Sequence, residues 1–205
     1  MRDRVPEQKA GKAEARVEAQ RARILDAAQQ CFIEHGFHGA SMANIAETAE
    51  MSAGLIYRYF ENKSAIILAI VEAQLELLRE EIQLNNQPDL PQLMADNYGR
   101  SCAKDQRGMN SVLLLEISAE ATRDPQIAAA LDDYDGAVRE ALCEWLARSK
   151  PEGGYGLSDA AAPRRALMLQ CLFEGLKMRE TREPKLDRAL LLEALQEAVP
   201  VMLKP

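Results

Sequence analysis

Two serines eleven residues apart, Ser41 and Ser52, each stand where a helix N-cap belongs, before runs too short to be stable alone. The first run, 42–49, puts Met42, Ile45, Ala46 and Ala49 on one face; after three residues the second, 53–59, begins. Helices this short must pack at an angle on a supporting neighbour. That neighbour lies upstream, where Ile24, Ala27, Ala28, Cys31 and Phe32 recur at helical steps until Gly36 stops the run, predicting a helix over 17–35. A supporting helix, a short helix, a three-residue turn and a second short helix form the arrangement that lays one helix in the major groove of DNA.

Composition extends the helical reading to the whole chain. Of 205 residues, Ala (32) and Leu (26) contribute 58, whereas Val, Ile and Thr together contribute 20. Helix formers so outnumber the β-branched residues of strands that an all-α fold of about nine helices is expected. Asn62 caps a long helix over 62–84, and further helices are expected near 89–104, 108–122, 125–149, 159–182 and 186–199. Gly108, Asp124-Pro125, the Pro151-Glu-Gly-Gly-Tyr-Gly loop and Glu183-Pro184 separate them. This predicts a flexible basic arm over 1–16, a helix-turn-helix domain over 17–65 and a second helical domain over 66–205.

The net charge of −7 at first argues against a nucleic-acid partner, but it is unevenly distributed. Residues 1–65 hold nine basic and nine acidic side chains, so all the excess acidity lies beyond them. The first 23 residues carry seven basic and four acidic groups, which suits an arm that approaches phosphates. No run reaches the roughly 18 apolar residues of a membrane span, and the four cysteines, Cys31, Cys102, Cys143 and Cys171, form no C-x-x-C pair. A cytoplasmic chain with reduced thiols and no membrane partner is expected. Cys31, His35 and His38 fall at i, i+4 and i+7, but Gly36 ends the helix between the histidines and Cys31 belongs to the apolar stripe, so no metal site is expected. No nucleophile-elbow, phosphate-loop, zinc-protease or dinucleotide string occurs, so neither catalysis nor a cofactor is expected.

The second short helix carries the chemistry. Ile56 and Phe60, one turn apart, face inward and leave Ser52, Ala53, Leu55, Arg58 and Tyr59 turned outward. Gly54 permits close approach of another backbone. Tyr57 and Tyr59 combine a ring with a hydroxyl that can donate to a phosphate oxygen, and they flank Arg58. Lys63 breaks a local rule, because a cation in the first turn of a helix opposes its dipole. A DNA phosphate at that helix start would account for it.

Residues 24–70 resemble the DNA-binding domain of the TetR/AcrR transcriptional regulators. The match runs through Ile24-Leu-Asp-Ala-Ala, Phe32-Ile-Glu-His-Gly-Phe, Ser41-Met-Ala-Asn-Ile-Ala and Ser52-Ala-Gly-Leu-Ile-Tyr-Arg-Tyr-Phe-Glu-Asn-Lys63. The resemblance implies an all-helical homodimer that binds a palindromic double-stranded operator and releases it when a small-molecule effector enters the C-terminal domain. It also implies phosphate contacts by Ser41, Tyr57, Tyr59 and Lys63, and groove contacts from the face that holds Ser52, Ala53, Gly54, Leu55 and Arg58. Two positions depart from the pattern. Glu50 stands where the family usually has Gly, so a positive φ there would cost of order 1 kcal/mol. Ala53 replaces a residue that is often basic or hydrogen-bonding, which shifts base reading toward Arg58, toward apolar contact of Leu55 or Ala53 with thymine methyls, and toward the arm. The C-terminal region, through Glu116-Ile-Ser-Ala-Glu-Ala-Thr-Arg-Asp-Pro-Gln-Ile and Phe173-Glu-Gly-Leu, resembles the BetI-like branch.

Glu116 interrupts an apolar run and Glu120 follows one turn on, so both are candidates to line an effector cavity and attract a cation. Met94, Tyr98, Met109, Tyr134, Trp145, Met168 and Cys171 are candidate apolar walls. The last two helices are apolar on more than one face and need burial on two sides. Leu169, Phe173, Leu176, Leu191, Leu195 and Val199 are assigned to a partner subunit. The whole predicts a ligand-responsive homodimeric repressor; the alternative is an architectural or division-control DNA binder of the same fold, without an effector.

Overall fold

The computed structural model describes residues 5–84, 89–99 and 109–204, with 5–14 and 78–84 described as backbone alone. The described residues are helical, without strands: α1 (Val5–Gly39), α2 (Met42–Thr48), α3 (Ala53–Ile56), α4 (Lys63–Leu84), α5 (Leu90–Asn97), α6 (Ser111–Ala121), α7 (Pro125–Ala147), α8 (Ala162–Arg182) and α9 (Arg188–Met202), with a single 3₁₀ turn at Lys150–Glu152. Among the described residues no helix is long and apolar enough to cross a membrane.

Of the flexible basic arm expected over 1–16, residues 5–16 are helical and continue into α1, while residues 1–4 lie outside the described residues. Ala, Glu, Lys, Gln and Arg dominate residues 7–16, and their summed helix propensity outweighs the roughly 1 kcal/mol cost of Gly11. Gly36 interrupts α1 as expected, with φ 70° and ψ 166°, a conformation open to glycine and costly for other residues. The second short helix is a single turn of four residues and does not run to Tyr59. Asp89, Asn110, Asp124 and Asp187 cap α5, α6, α7 and α9 through side-chain oxygens that accept from backbone N–H groups of the first turn. The helix expected to reach 104 ends at Asn97, with Tyr98 and Gly99, at φ 78°, in a turn; residues 100–104 and Gly108 lie outside the described residues. At the other end, α9 runs three residues beyond the expected limit of 199, with Pro200 in its last turn.

The chain divides into two compact units, Met1–Ile70 and Val71–Pro205. In the first, α1 packs on α2 and α2 on α3, with Ile24, Phe32, Ile45, Ile56, Ile66 and Ile67 almost fully buried. Each such side chain stabilises the unit by about 1.5–3 kcal/mol relative to exposure. In the second, α6, α7 and α8 pack pairwise and α5 packs on α9. A shared apolar cluster includes Met94, Tyr98, Trp145, Leu146, Leu169, Leu191 and Leu195.

That cluster corrects the partner-facing assignment. Leu169, Leu191, Leu195 and Val199 are buried in the core of this chain, and Phe173 and Leu176 pack half-buried against them. The opposite faces are the open ones: Leu167, Met168, Cys171 and Met178 on α8, and Leu190, Ala194, Ala198 and Val201 on α9. A helix apolar on two sides identifies both faces by spacing, but the spacing does not say which one meets its own core.

Candidate functional site

The first unit is assembled from caps. The Ser41 hydroxyl accepts from the Asn44 backbone N–H at 3.1 Å, while the Ser41 N–H donates to Asn44 Oδ1 at 3.0 Å, a reciprocal capping box. Ser41 and Asn44 also meet side chain to side chain. Ser52 Oγ accepts from Leu55 N–H at 3.3 Å, and Asn62 Oδ1 from Ala65 N–H at 2.8 Å. The first task of Ser41 and Ser52 is therefore to start α2 and α3.

Between those helices the turn is closed by Met51 N–H to the Ala46 carbonyl and Glu50 N–H to the Glu47 carbonyl, both 2.9 Å. This pair of hydrogen bonds places Glu50 at the left-handed position usually held by glycine, and its φ is 51°. Its carboxylate lies 3.0 Å from Arg23 Nη2 of α1. The departure noted in the sequence is thus a strained residue tied to the supporting helix.

Ser52, Ala53, Gly54, Tyr57 and Arg58 are exposed, Leu55 and Tyr59 half-buried, and Ile56 and Phe60 buried. Tyr57, at 56% exposure, presents a large ring to solvent. A Cβ built on Gly54 meets nothing within 4 Å, so the surface there is open to close approach. Arg21 of α1 lies over the Phe60 ring, 4.8 Å from its centre, and steadies the far end of this segment.

Lys63 has a partner the sequence did not suggest. Its ammonium donates to the Phe37 carbonyl and, at 2.7 Å, to the Ala40 carbonyl, and it sits 4.5 Å from the centre of the Phe37 ring. A cation that opposes the dipole of its own helix therefore satisfies carbonyls at the C-terminal end of α1, where positive charge is favoured. Cys31 is buried with its thiol 3.3 Å from Thr48 Oγ1, while His35 and His38 are exposed. Among the described residues no three His, Cys, Asp or Glu side chains are placed to hold a metal ion.

In the second unit α6, α7 and α8 enclose a cavity of about 510 Å³. Helix α7 contributes a single stripe, Leu131, Tyr134, Asp135, Val138, Leu142 and Trp145; α6 gives Ser111, Leu114, Leu115 and Ser118; α8 gives Gln170, Phe173, Glu174, Lys177 and Met178. Leu90, Leu93, Asn97 and Met109 complete the wall among the described residues. Leu93 and Met178 line the cavity yet are exposed, so they mark its mouth.

Of the residues expected in this cavity, Met109, Tyr134 and Trp145 line it. Met94 and Tyr98 instead join the core, where the Tyr98 hydroxyl donates to the Glu183 carbonyl at 3.0 Å; Met168 and Cys171 are exposed. Glu116 and Glu120 are absent from the wall. Each sits two residues beyond a wall residue of α6, Leu114 or Ser118, which turns it to the other side of the helix. Glu120 pairs with Arg123 at 3.8 Å.

The acidic groups that do line the cavity are Asp135 and Glu174. Burial raises the pKa of the Asp135 carboxyl, opposed by the nearby Arg139 charge. Burial likewise raises that of Glu174, and the charge on Asp135 adds to the effect. Gln170 ties the two helices together: it accepts from Arg139 Nε at 3.1 Å and donates to the Asp135 carbonyl at 3.5 Å. Lys177 lies 3.8 Å from Glu180, a carboxylate only 4% exposed that also accepts from the Ser111 hydroxyl. The sequence did carry a signal for Asp135, a single carboxylate within the apolar stripe of α7.

Comparison with known proteins agrees with both units. Residues 24–70 match the family described as bacterial regulatory proteins, tetR family, and residues 86–204 match the BetI-type transcriptional repressor C-terminal family. The HTH-type transcriptional regulator UidR of Escherichia coli K12 is 32% identical over 142 residues, covering 65% of this chain and 67% of UidR. The HTH-type transcriptional repressor AcnR of Corynebacterium efficiens is 29% identical over 133 residues, with coverage of 65% and 67%. Among solved structures, Salmonella enterica GusR matches with a TM-score of 0.65 at 26% identity, covering 89% of this chain and 96% of GusR. The reduced form of Escherichia coli NemR shares the fold, with a TM-score of 0.65 at 19% identity and coverage of 87% and 96%. From its helix-turn-helix unit to its C-terminal helices, this chain belongs to the TetR family of bacterial transcriptional regulators and carries a BetI-type C-terminal domain.

Proposed function

We propose that this regulator is a cytoplasmic homodimeric repressor that binds a palindromic operator and leaves it when a small molecule occupies the C-terminal cavity. The observation that carries the effector half of this reading is the cavity itself, about 510 Å³ and mostly apolar, which lies within the usual range of small-molecule sites. An architectural DNA binder of the same fold would have a filled core.

The groove-facing surface is Ser52, Ala53, Gly54, Leu55 and Arg58, with Tyr57 and Tyr59 donating to phosphates beside it. Ser41 and Lys63 act on phosphates chiefly by holding the starts of α2 and α4 in place. The partner subunit covers the exposed face of α8 and α9, where Leu167, Met168, Met178, Leu190 and Val201 supply most of the exposed large apolar side chains among the described residues. Two copies of α3 then sit about 34–36 Å apart, one turn of DNA, or at a longer in-phase spacing. Helix α4 has residues in both units and is the covalent route for a change in that spacing. A ligand drives the change only by binding the DNA-incompetent arrangement more tightly.

Selection of genomic fragments on the purified chain tests this reading, and enrichment of a palindrome is expected. Arg58→Ala should reduce the ratio of operator to random-sequence affinity roughly tenfold, the loss of one base contact. Recovery of fragments without a common symmetric site would overturn the repressor reading, and a uniform loss on all sequences would confine Arg58 to the phosphates.

A further inference from the structure

The helix-turn-helix proper is poor in the charge that a DNA partner demands. Residues 24–65 hold two basic side chains, Arg58 and Lys63, against five acidic ones. Lys63 is taken up by the Phe37 and Ala40 carbonyls, which leaves Arg58 as the one exposed Lys or Arg among these described residues. A DNA duplex carries a negative charge for about every 1.7 Å of its axis, so most of the neutralising charge has to come from elsewhere. It is available immediately upstream, where residues 1–23 hold seven of the nine basic side chains that precede residue 66.

This upstream stretch of α1 stands clear of the core. Residues 15–19 are all exposed, and the first buried residue of α1 among those described is Ile24. From Val5 to Ile24 the helix extends about 28 Å at 1.5 Å per residue. At 3.6 residues per turn, positions Lys9, Lys12, Arg16 and Arg23 fall within about 60° of arc, while Glu7, Glu14 and Glu18 fall within about 40° on the opposite side. Arg21, the remaining base of residues 5–23, lies over the Phe60 ring. A helix that is merely solvated gains from opposite charges three or four residues apart. Here Lys9–Lys12, Lys12–Arg16 and Glu14–Glu18 are like pairs at those spacings, and between residues 5 and 23 Glu18–Arg21 is the only opposite pair. Segregation that destabilises the free helix is a local rule broken, as expected where a partner of one sign collects the gain.

Arg23 fixes which way the basic stripe faces. Its Nη2 donates to Glu50 at 3.0 Å, in the turn just before Ser52, the N-cap of α3. Lys63 binds the opposite end of α1, at Phe37 and Ala40. The extension therefore leaves the unit at the end beside α3, in register with the side of α1 that meets the turn into that helix. We propose that residues 5–20 form a second DNA-contacting element, with Lys9, Lys12 and Arg16 on the sugar–phosphate backbone beside the groove that α3 enters. This rests on the groove-facing role of α3 proposed above and adds to it the source of affinity. Phosphate contacts carry no sequence information, so the extension holds the duplex while α3 selects the site.

A charge swap tests the stripe without changing composition or net charge. Lys12→Glu combined with Glu14→Lys breaks the stripe and turns Lys12–Arg16 and Glu14–Glu18 into opposite-charge pairs. The free full-length protein should gain helix by circular dichroism while its DNA affinity falls about tenfold or more at 0.1 M salt. A structural role alone moves stability and binding in the same direction. Affinities for the selected operator and for a random-sequence duplex are measured over a salt series. The slope of log affinity against log salt should fall by about two units for a dimer of the swap variant, and by about five for Lys9→Gln, Lys12→Gln and Arg16→Gln together. The ratio of operator to random affinity should stay within about twofold, because no base contact is lost. Glu7→Gln with Glu18→Gln, on the opposite side, should leave the slope unchanged. An unchanged slope in the swap variant, or a loss confined to the operator, would overturn the proposal. So would a change in the light-scattering mass of the DNA-free triple variant, which hands the stripe to a second copy of the chain. Slopes that fall on random duplex while selection yields no symmetric site keep this element and remove the operator reading. A symmetric operator bound with unchanged slopes keeps the operator reading and removes this element.

Discussion

The two units use polar side chains in opposite ways. In the helix-turn-helix unit Ser41, Asn44, Ser52, Asn62 and Lys63 are bound to backbone groups a few residues away or at the end of the neighbouring helix. They fix the outline of the unit and leave Ser52, Ala53 and Gly54, at the start of the single-turn helix, exposed for the proposed DNA contacts. In the C-terminal unit Gln170, Arg139, Glu180 and Ser111 join side chain to side chain between helices, around a space the core does not fill. Reading a DNA groove requires a fixed shape, since a misplaced contact is a lost one, whereas sensing a ligand requires a core left incomplete. A fixed outline in one unit and vacancy in the other are the two features that the proposed ligand-controlled repressor requires.

The sharpest way to break this contrast is to charge the two faces of α9 separately. Leu195 is 3% exposed, so Leu195→Glu buries a carboxylate without a partner and should cost more than about 4 kcal/mol. That is a large share of the stability of a typical domain, and the C-terminal unit should lose its cooperative thermal transition. Leu190, on the open face, is 58% exposed, and Leu190→Glu should leave a folded chain with a cooperative transition, lowered only by the stabilisation that dimerisation supplied, while light scattering reports monomers. If instead Leu195→Glu gave folded monomers and Leu190→Glu remained dimeric, the core and partner faces would have been exchanged.

That pair of variants also marks where sequence stopped being informative. The first unit was legible because its structure is local: caps lie three residues from the groups they bind, and Ile56 and Phe60 sit one helical turn apart. Even the strain at Glu50 was visible as a side chain where the turn prefers glycine. The cavity was not legible in that way, because Ser118, Asp135 and Glu174 meet only after three helices pack, and no local period records which stripe of each helix faces the others. The Lys63 contact belongs to the same class, since its carbonyl partners lie more than twenty residues upstream.

Lys63→Ala tests whether the first unit is held by that contact. Two carbonyls at the end of α1 lose a charged donor, and the unit should be destabilised by about 1–3 kcal/mol in thermal or denaturant melts. Operator and random DNA should weaken together, because the turn before α2 shifts, while the dependence of affinity on salt stays as in the parent. A salt slope lower by about one unit would place the ammonium on a phosphate instead.

The smallest expected effect concerns Glu50, where shape and charge can be separated. Its left-handed φ of 51° costs a non-glycine residue about 1–2 kcal/mol. Glycine recovers that cost but loses about 0.5–1 kcal/mol through the freedom it adds to the unfolded chain. The exposed Arg23 pair, lost in either variant, contributes less than about 1 kcal/mol. Glu50→Gly should therefore shift stability by no more than about 1 kcal/mol, while Glu50→Gln keeps the strain and should be slightly destabilised by losing the pair. Both remove a negative charge beside the proposed groove surface, so both should tighten DNA binding a few-fold at low salt, with the gain fading as salt screens it. Equal tightening in the two variants assigns the effect of Glu50 to its charge. Tightening in Glu50→Gly alone assigns it to the backbone, and then the rigid outline of this unit is itself adjusted at the turn.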